Sequence, residues 1–212
     1  MANTNAPFGL MPVMEGSGSP WSGKTTRYYI PSTDTSAYYI GDPVALEGVE
    51  GTQTADANGI PAVGKVSTSG ITLWLGPIVG IEVVNPGAAS VAGTSLALEQ
   101  IYIPATKTKA YYVYVADDPA LIFEIQGSST ATNQTAAKST YNCDITVATP
   151  TAGNQSATVI LDSSVALTAT LPLKLLGLSQ RARQGGNAFG AYGVYLCKIN
   201  NHQYGNIVAA LA

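Results

Sequence analysis

AYYVYVADDPALIFEIQ, residues 110–126, decides the fold. Its first half alternates with a period of two, so Tyr112 and Tyr114 face one side and Tyr111, Val113 and Val115 the other. β-Branched and aromatic residues favour this pleated, half-buried setting. Asp117-Asp118-Pro119 breaks the run, and LIFEIQ resumes it at once. Two strands joined by a hairpin or a tight corner are expected here.

The same pattern recurs outward in both directions. Toward the N-terminus, strands are expected at Thr26–Ile30, Ala37–Ile40, Pro43–Leu46, Ile60–Val66, Ile71–Leu75, Ile78–Val84 and Ile101–Ile103. Around and beyond the quoted stretch they are expected at Lys109–Ala116, Leu121–Gln126, Asp144–Ala148, Thr158–Leu161, Leu171–Leu178 and Val194–Asn200. Helical turns are plausible only over Gln134–Tyr141 and Ile207–Leu211. Residues 127–140 and 149–157 are loops of small polar residues. Asp-Pro corners recur at Asp42-Pro43 and Asp118-Pro119. Short strands at this spacing predict an all-β fold, a sandwich or barrel-like domain with little helix.

Residues 1–24 differ in kind. Pro7, Pro12 and Pro20 remove backbone donors, which disfavours a helix or a central strand. Yet Phe8, Leu10, Met11, Val13 and Met14 are too apolar for a solvated linker. An extended N-terminal arm laid on a partner is expected, the alternative being an arm tucked against its own domain. The expected organisation is an arm over 1–24, a β domain over 25–204 and a C-terminal tail over 205–212.

Charge is scarce. Ten Lys and Arg and thirteen Asp and Glu make 11% of the 212 residues, against about 25% in an ordinary soluble domain. So few charges leave little electrostatic repulsion between neighbours, which favours a protein that sits against other protein surfaces. The net charge is −3 and the basic residues are scattered. No basic face for nucleic acid is expected. No basic n-region precedes the apolar N-terminal residues, so no signal peptide is expected. The longest apolar stretch, Ile71 to Val84, is broken by Gly76, Pro77 and Gly80 and carries Glu82, too interrupted to span a membrane.

Catalytic constellations fail on context. GSPWSGKT, residues 18–25, matches the phosphate-binding loop formally. That chemistry needs a strand before the loop and a helix after it, whereas TRYYIPSTD is β-like. Asp162, closing VILD, poses weakly as a magnesium-side carboxylate. His202 is the only histidine, expected at the surface or as a cap. A zinc site would need Cys143 and Cys197 as well, at no familiar spacing. Both cysteines are expected as buried thiols, with a disulfide left open. Asp117 and Asp118 are adjacent on a turn, unsuited to paired-carboxylate work. The sequons at Asn133 and Asn154 carry little weight without a secretory signal. No enzyme activity, cofactor or metal ligand is expected. Twelve tyrosines with Trp21 and Trp74 could line a sugar-binding face, although core and subunit contacts come first for Tyr in strands.

Five segments together resemble a group of virion structural proteins of tailed bacteriophages: ANTNAPFGLMPV (2–13), RYYIPSTDTSAYYIGDPVAL (27–46), YYVYVADDPALIFEIQ (111–126), PLKLLGL (172–178) and INNHQYG (199–205). The group resembles the capsid decoration, or cement, proteins. The resemblance implies a β-rich homo-oligomer, a trimer before a dimer, without enzymatic activity. It would bind the major capsid protein on the outer surface of the assembled head and brace the expanded shell. The arm would then supply the capsid contacts, with Pro7, Phe8, Leu10, Met11, Pro12, Val13 and Trp21 as candidates. The alternative is a glycan-binding head-fibre or tail component.

Overall fold

The computed structural model describes residues 3–49, 52–66, 73–83, 102–130, 132–148, 150, 155–180 and 186–205. In chain order the first strands are β1 (Met11–Met14), β2 (Thr26–Ile30), β3 (Tyr38–Tyr39), β4 (Pro43–Leu46), β5 (Gly48–Val49), β6 (Thr52–Gln53), β7 (Val63–Lys65) and β8 (Gly76–Val83). There follow β9 (Tyr102–Ile103), β10 (Tyr111–Val115), β11 (Ile122–Gln126), β12 (Asn142–Cys143), β13 (Ile145–Thr146), β14 (Val159–Ile160), β15 (Leu173–Leu178) and β16 (Val194–Ile199). The chain is all-β and sandwich-like. Helix among the described residues is limited to two 3₁₀ turns, Ala136–Lys138 and Asp162–Ser164. The first falls inside the expected Gln134–Tyr141 turn. The second was not expected, and Ile207–Leu211 lies outside the described residues.

Two five-stranded antiparallel sheets carry the architecture, in the orders β1-β11-β16-β15-β12 and β2-β10-β8-β4-β7. The second sheet curls until its outer strands meet. Tyr29 bridges Ala62 in parallel, and the Tyr29 amide donates to the Pro61 carbonyl at 3.0 Å. Closure of this kind removes the unpaired edges that an open sheet would present. Tyr28, Ile30, Val44, Val63, Ile78, Tyr111, Val113 and Val115 fill the resulting barrel. The alternation expected for AYYVYVA holds. Tyr111, Val113 and Val115 point inward, while Tyr114 stands 36% exposed on the outer face.

A second, larger core lies between the other sheet and the barrel wall. Phe123, Ile125, Leu173, Leu175, Tyr195 and Cys197 come from the sheet, and Ala45, Val66, Trp74 and Ala116 from the barrel side. Strand β4 therefore serves both cores, with Val44 turned inward and Ala45 outward, as the pleat requires. Asp117-Asp118-Pro119 is a corner between the two sheets, not a hairpin, because β10 and β11 belong to different ones. The Asp118 carboxylate accepts the Ala120 amide at 2.8 Å, and Asp117 accepts the Tyr28 hydroxyl at 2.7 Å.

The N-terminal segment is extended, but it lies on its own domain. Met11–Met14 pairs with β11 as an edge strand, with an irregularity after Pro12. An edge position is where a sheet tolerates proline. Upstream, Gln126 holds the chain by donating to the Thr4 carbonyl at 2.9 Å and accepting the Ala6 amide at 3.1 Å. Gly9 and Gly41, both at positive φ, let the backbones touch. A Cβ at Gly41 would strike the Phe8 carbonyl. Among the described residues of this segment, 3–24, the tucked alternative is the one observed.

Candidate docking groove

The sheet edge at β1 continues into a tight turn. The Gly18 amide donates to the Glu15 carbonyl and the Glu15 amide to the Ser19 carbonyl, both at 2.8 Å. Gly18 takes φ +92, a conformation that favours glycine. Returning chain then pairs with β1, the Trp21 amide donating to the Val13 carbonyl at 3.2 Å. This is what GSPWSGKT builds. Thr25 leads straight into β2, so no helix N-terminus stands behind the loop to hold a phosphate.

Between this hairpin and β16 lies an open groove of about 730 Å³, lined by Met11, Pro12, Val13, Met14, Gly18, Pro20, Trp21 and Leu196, with Ser179 and Gln180 at its polar end. The Ser179 hydroxyl donates to the buried Glu124 carboxylate, which anchors that end. Trp21 packs partly against the core, and its indole Nε1 is shielded from solvent without a hydrogen-bond acceptor. An apolar surface of this kind suits an extended protein segment that brings apolar side chains to it.

The candidate contact residues divide. Met11, Pro12, Val13 and Trp21 meet in the groove, with Pro12 itself buried. Leu10 is 1% exposed and belongs to the core, so it is withdrawn from any contact set. Pro7 and Phe8 are half-buried on the strap leading to Gly9, outside the groove. Met14, Pro20 and Leu196 were missed. The alternation of Val194–Asn200 puts Leu196 on one face of its strand, but only the fold brings β1 to the same sheet, one strand away.

Other residues singled out in the sequence have structural roles. Asp162 accepts the amides of Asn133 and Gln134 at 2.9 and 3.1 Å and so pins a loop. Asn154 lies outside the described residues. Cys143 and Cys197 are free and buried, and burial pushes both thiols up. Trp74 is fully buried, so it cannot serve as a sugar platform. On the outer barrel face, Arg27 lies 3.6 Å over the Tyr112 ring and pairs with Glu82, which also accepts the Tyr114 hydroxyl. Among the described residues, no group of three or more His, Cys, Asp or Glu is arranged to hold a metal ion. No described helix is long and apolar enough to cross a membrane.

His202 corrects the expectation of a surface residue. It is 6% exposed, although it does cap its turn by accepting the Tyr204 amide on Nδ1 at 3.0 Å. Burial holds its pKa below the ordinary 6.5. Above that pH both folded and unfolded His202 are neutral, so its full contribution to stability is present. As pH falls through it, the unfolded chain binds a proton that the folded state resists, and stability declines. The urea midpoint is therefore expected to drop between roughly pH 7.5 and roughly pH 5.5 by more in the wild type than in His202→Gln. Equal drops would remove His202 as the cause.

No family model, curated protein or solved structure matches this chain.

Proposed function

We propose that this chain is a capsid decoration, or cement, protein of a tailed bacteriophage, which binds the major capsid protein on the outer surface of the expanded head. The observation that carries this reading is the apolar groove formed by Met11, Val13, Met14, Trp21 and Leu196 along the edge of the five-stranded sheet. Its occupant in this reading is an extended segment of a coat subunit. The five phage-like segments and the low charge support the same role. A cement protein stabilises by mass action: it binds the expanded shell and not the immature one, and so shifts the balance toward the former. Many copies, each with a modest contact, then give strong total reinforcement. A trimer at three-fold positions is the assembly proposed.

Co-sedimentation with heads stripped of decoration tests it, comparing procapsids with expanded shells. Saturable binding to expanded heads alone is expected, and its stoichiometry gives the site symmetry. Deleting residues 1–24 is a poor probe, because Leu10 and β1 are part of the fold. Trp21→Ala and Met14→Ser are better, each checked for folding by circular dichroism. Central apolar contacts carry most interface energy, so a loss of at least about tenfold is expected for the pair. Absence of wild-type binding to either form of the head would overturn the proposal.

A further inference from the structure

A lysine enclosed by protein, in contact with a carboxylate, is a reactive arrangement as well as an ion pair. Lys107, in the loop before β10, has a side chain with 0% exposure, and its Nζ lies 2.8 Å from Asp34 Oδ1, whose side chain is 11% exposed. The same nitrogen touches the carbonyls of Asp34 at 2.8 Å and Ser36 at 2.6 Å, which fixes its position against the carboxyl. The Tyr38 ring covers it, with 5.3 Å from Nζ to the centroid.

Asp34 is held as an electrophile would be. The Ser36 amide donates to Oδ1 at 2.7 Å and the Tyr38 hydroxyl to Oδ2 at 2.9 Å. Donors placed on both oxygens stabilise the charge that develops when the carboxyl carbon is attacked. A second carboxyl, Glu47 just after β4, lies near enough to feel both charges. Burial and the field of Asp34 raise its pKa, while Lys107 lowers it.

We propose that Lys107 and Asp34 close into an intramolecular isopeptide bond. Proton transfer across the Nζ–Oδ1 hydrogen bond first turns the ion pair into a neutral amine and a carboxylic acid. The amine lone pair attacks Cγ and forms the C–N bond, with negative charge developing on Oδ2, where the Tyr38 hydroxyl donates to it. The proton released by the nitrogen passes to Oδ1, 2.8 Å from Nζ. The Cγ–Oδ1 bond breaks, Oδ1 leaves with both protons as one water, and Oδ2 becomes the amide oxygen. Ammonium plus carboxylate become amide plus water, so no oxidant or co-reactant is required. Holding the partners in contact in a dry site supplies the proximity that such a reaction needs. The bond would fasten the loop before β3 to the loop before β10 and so cross-link the barrel, whatever the protein binds.

Intact-mass measurement of the denatured full-length protein is the test. The wild type is expected to weigh one water less than its sequence, and trypsin to leave a joined peptide containing Asp34 and Lys107. Lys107→Arg, which keeps the charge pair, is expected to show its full mass. A wild type at full mass, releasing separate Asp34 and Lys107 peptides, overturns the proposal.

Discussion

Trp74→Ala is expected to lower the unfolding free energy by about 3–5 kcal/mol, the usual cost of emptying a large buried aromatic site. Trp74 has 0% exposure and sits in the larger core. Its backbone also joins the barrel to the chain leaving β16. The Trp74 amide donates to the Asn201 carbonyl at 2.9 Å and its carbonyl accepts the Gln203 amide at 2.8 Å. The cavity would thus open at a junction where neighbours are held by their own hydrogen bonds and cannot collapse to fill it. Against a typical total of about 5–15 kcal/mol, such a loss brings the protein near its unfolding threshold. Urea denaturation checks this, and Trp74→Phe should recover much of the midpoint. A loss below about 1 kcal/mol would place Trp74 outside the core.

Asp42→Ala is expected to cost a similar amount, about 3–5 kcal/mol, for an electrostatic reason. The Asp42 carboxylate is fully buried. It pairs with Lys65 at 2.7 Å, accepts the Tyr39 amide at 3.0 Å and accepts the Ser156 hydroxyl. Its removal leaves Lys65, whose side chain is 17% exposed, without its counter-charge, beside hydrogen-bond donors that have lost their acceptor. Replacing both partners by apolar residues removes that penalty. The double variant Asp42→Ala/Lys65→Met should therefore be more stable than Asp42→Ala alone. If it is less stable, the cost lies in lost packing and not in a stranded charge.

Local pattern showed what local energetics control. The runs Thr26–Ile30 and Pro43–Leu46 became β2 and β4, and the period of two in Tyr111–Val115 became β10 with its expected faces. Strand β1 was invisible because Met-Pro-Val-Met has no strand preference of its own. It is a strand only because Phe123 and Glu124 lie beside it. Asp42 and Lys107 were also illegible as interior residues. Charged groups ordinarily stay in water, and what lets these two leave it is a set of partners brought from other loops. The groove shared that fate, since Leu196 and Val13 line it together only through the order of strands in a sheet. Barrel closure through Tyr29 and Ala62 is likewise a property of curvature, which composition does not encode.

The two sheets also differ in when a growing chain could build them. Barrel pairings are complete once Val115 exists, since Thr26 meets Val115 and Val44 meets Lys65. In the other sheet, Met11 must wait for Glu124, and Phe123 for Cys197. Synthesis from the N-terminus therefore favours an early barrel, with β1 stranded in water until β11 emerges. Non-local pairing of this sort is slow, because loop-closure entropy is lost before contacts are gained. During that interval the apolar N-terminal segment is the part of the molecule most open to chaperones, or to another unfinished chain.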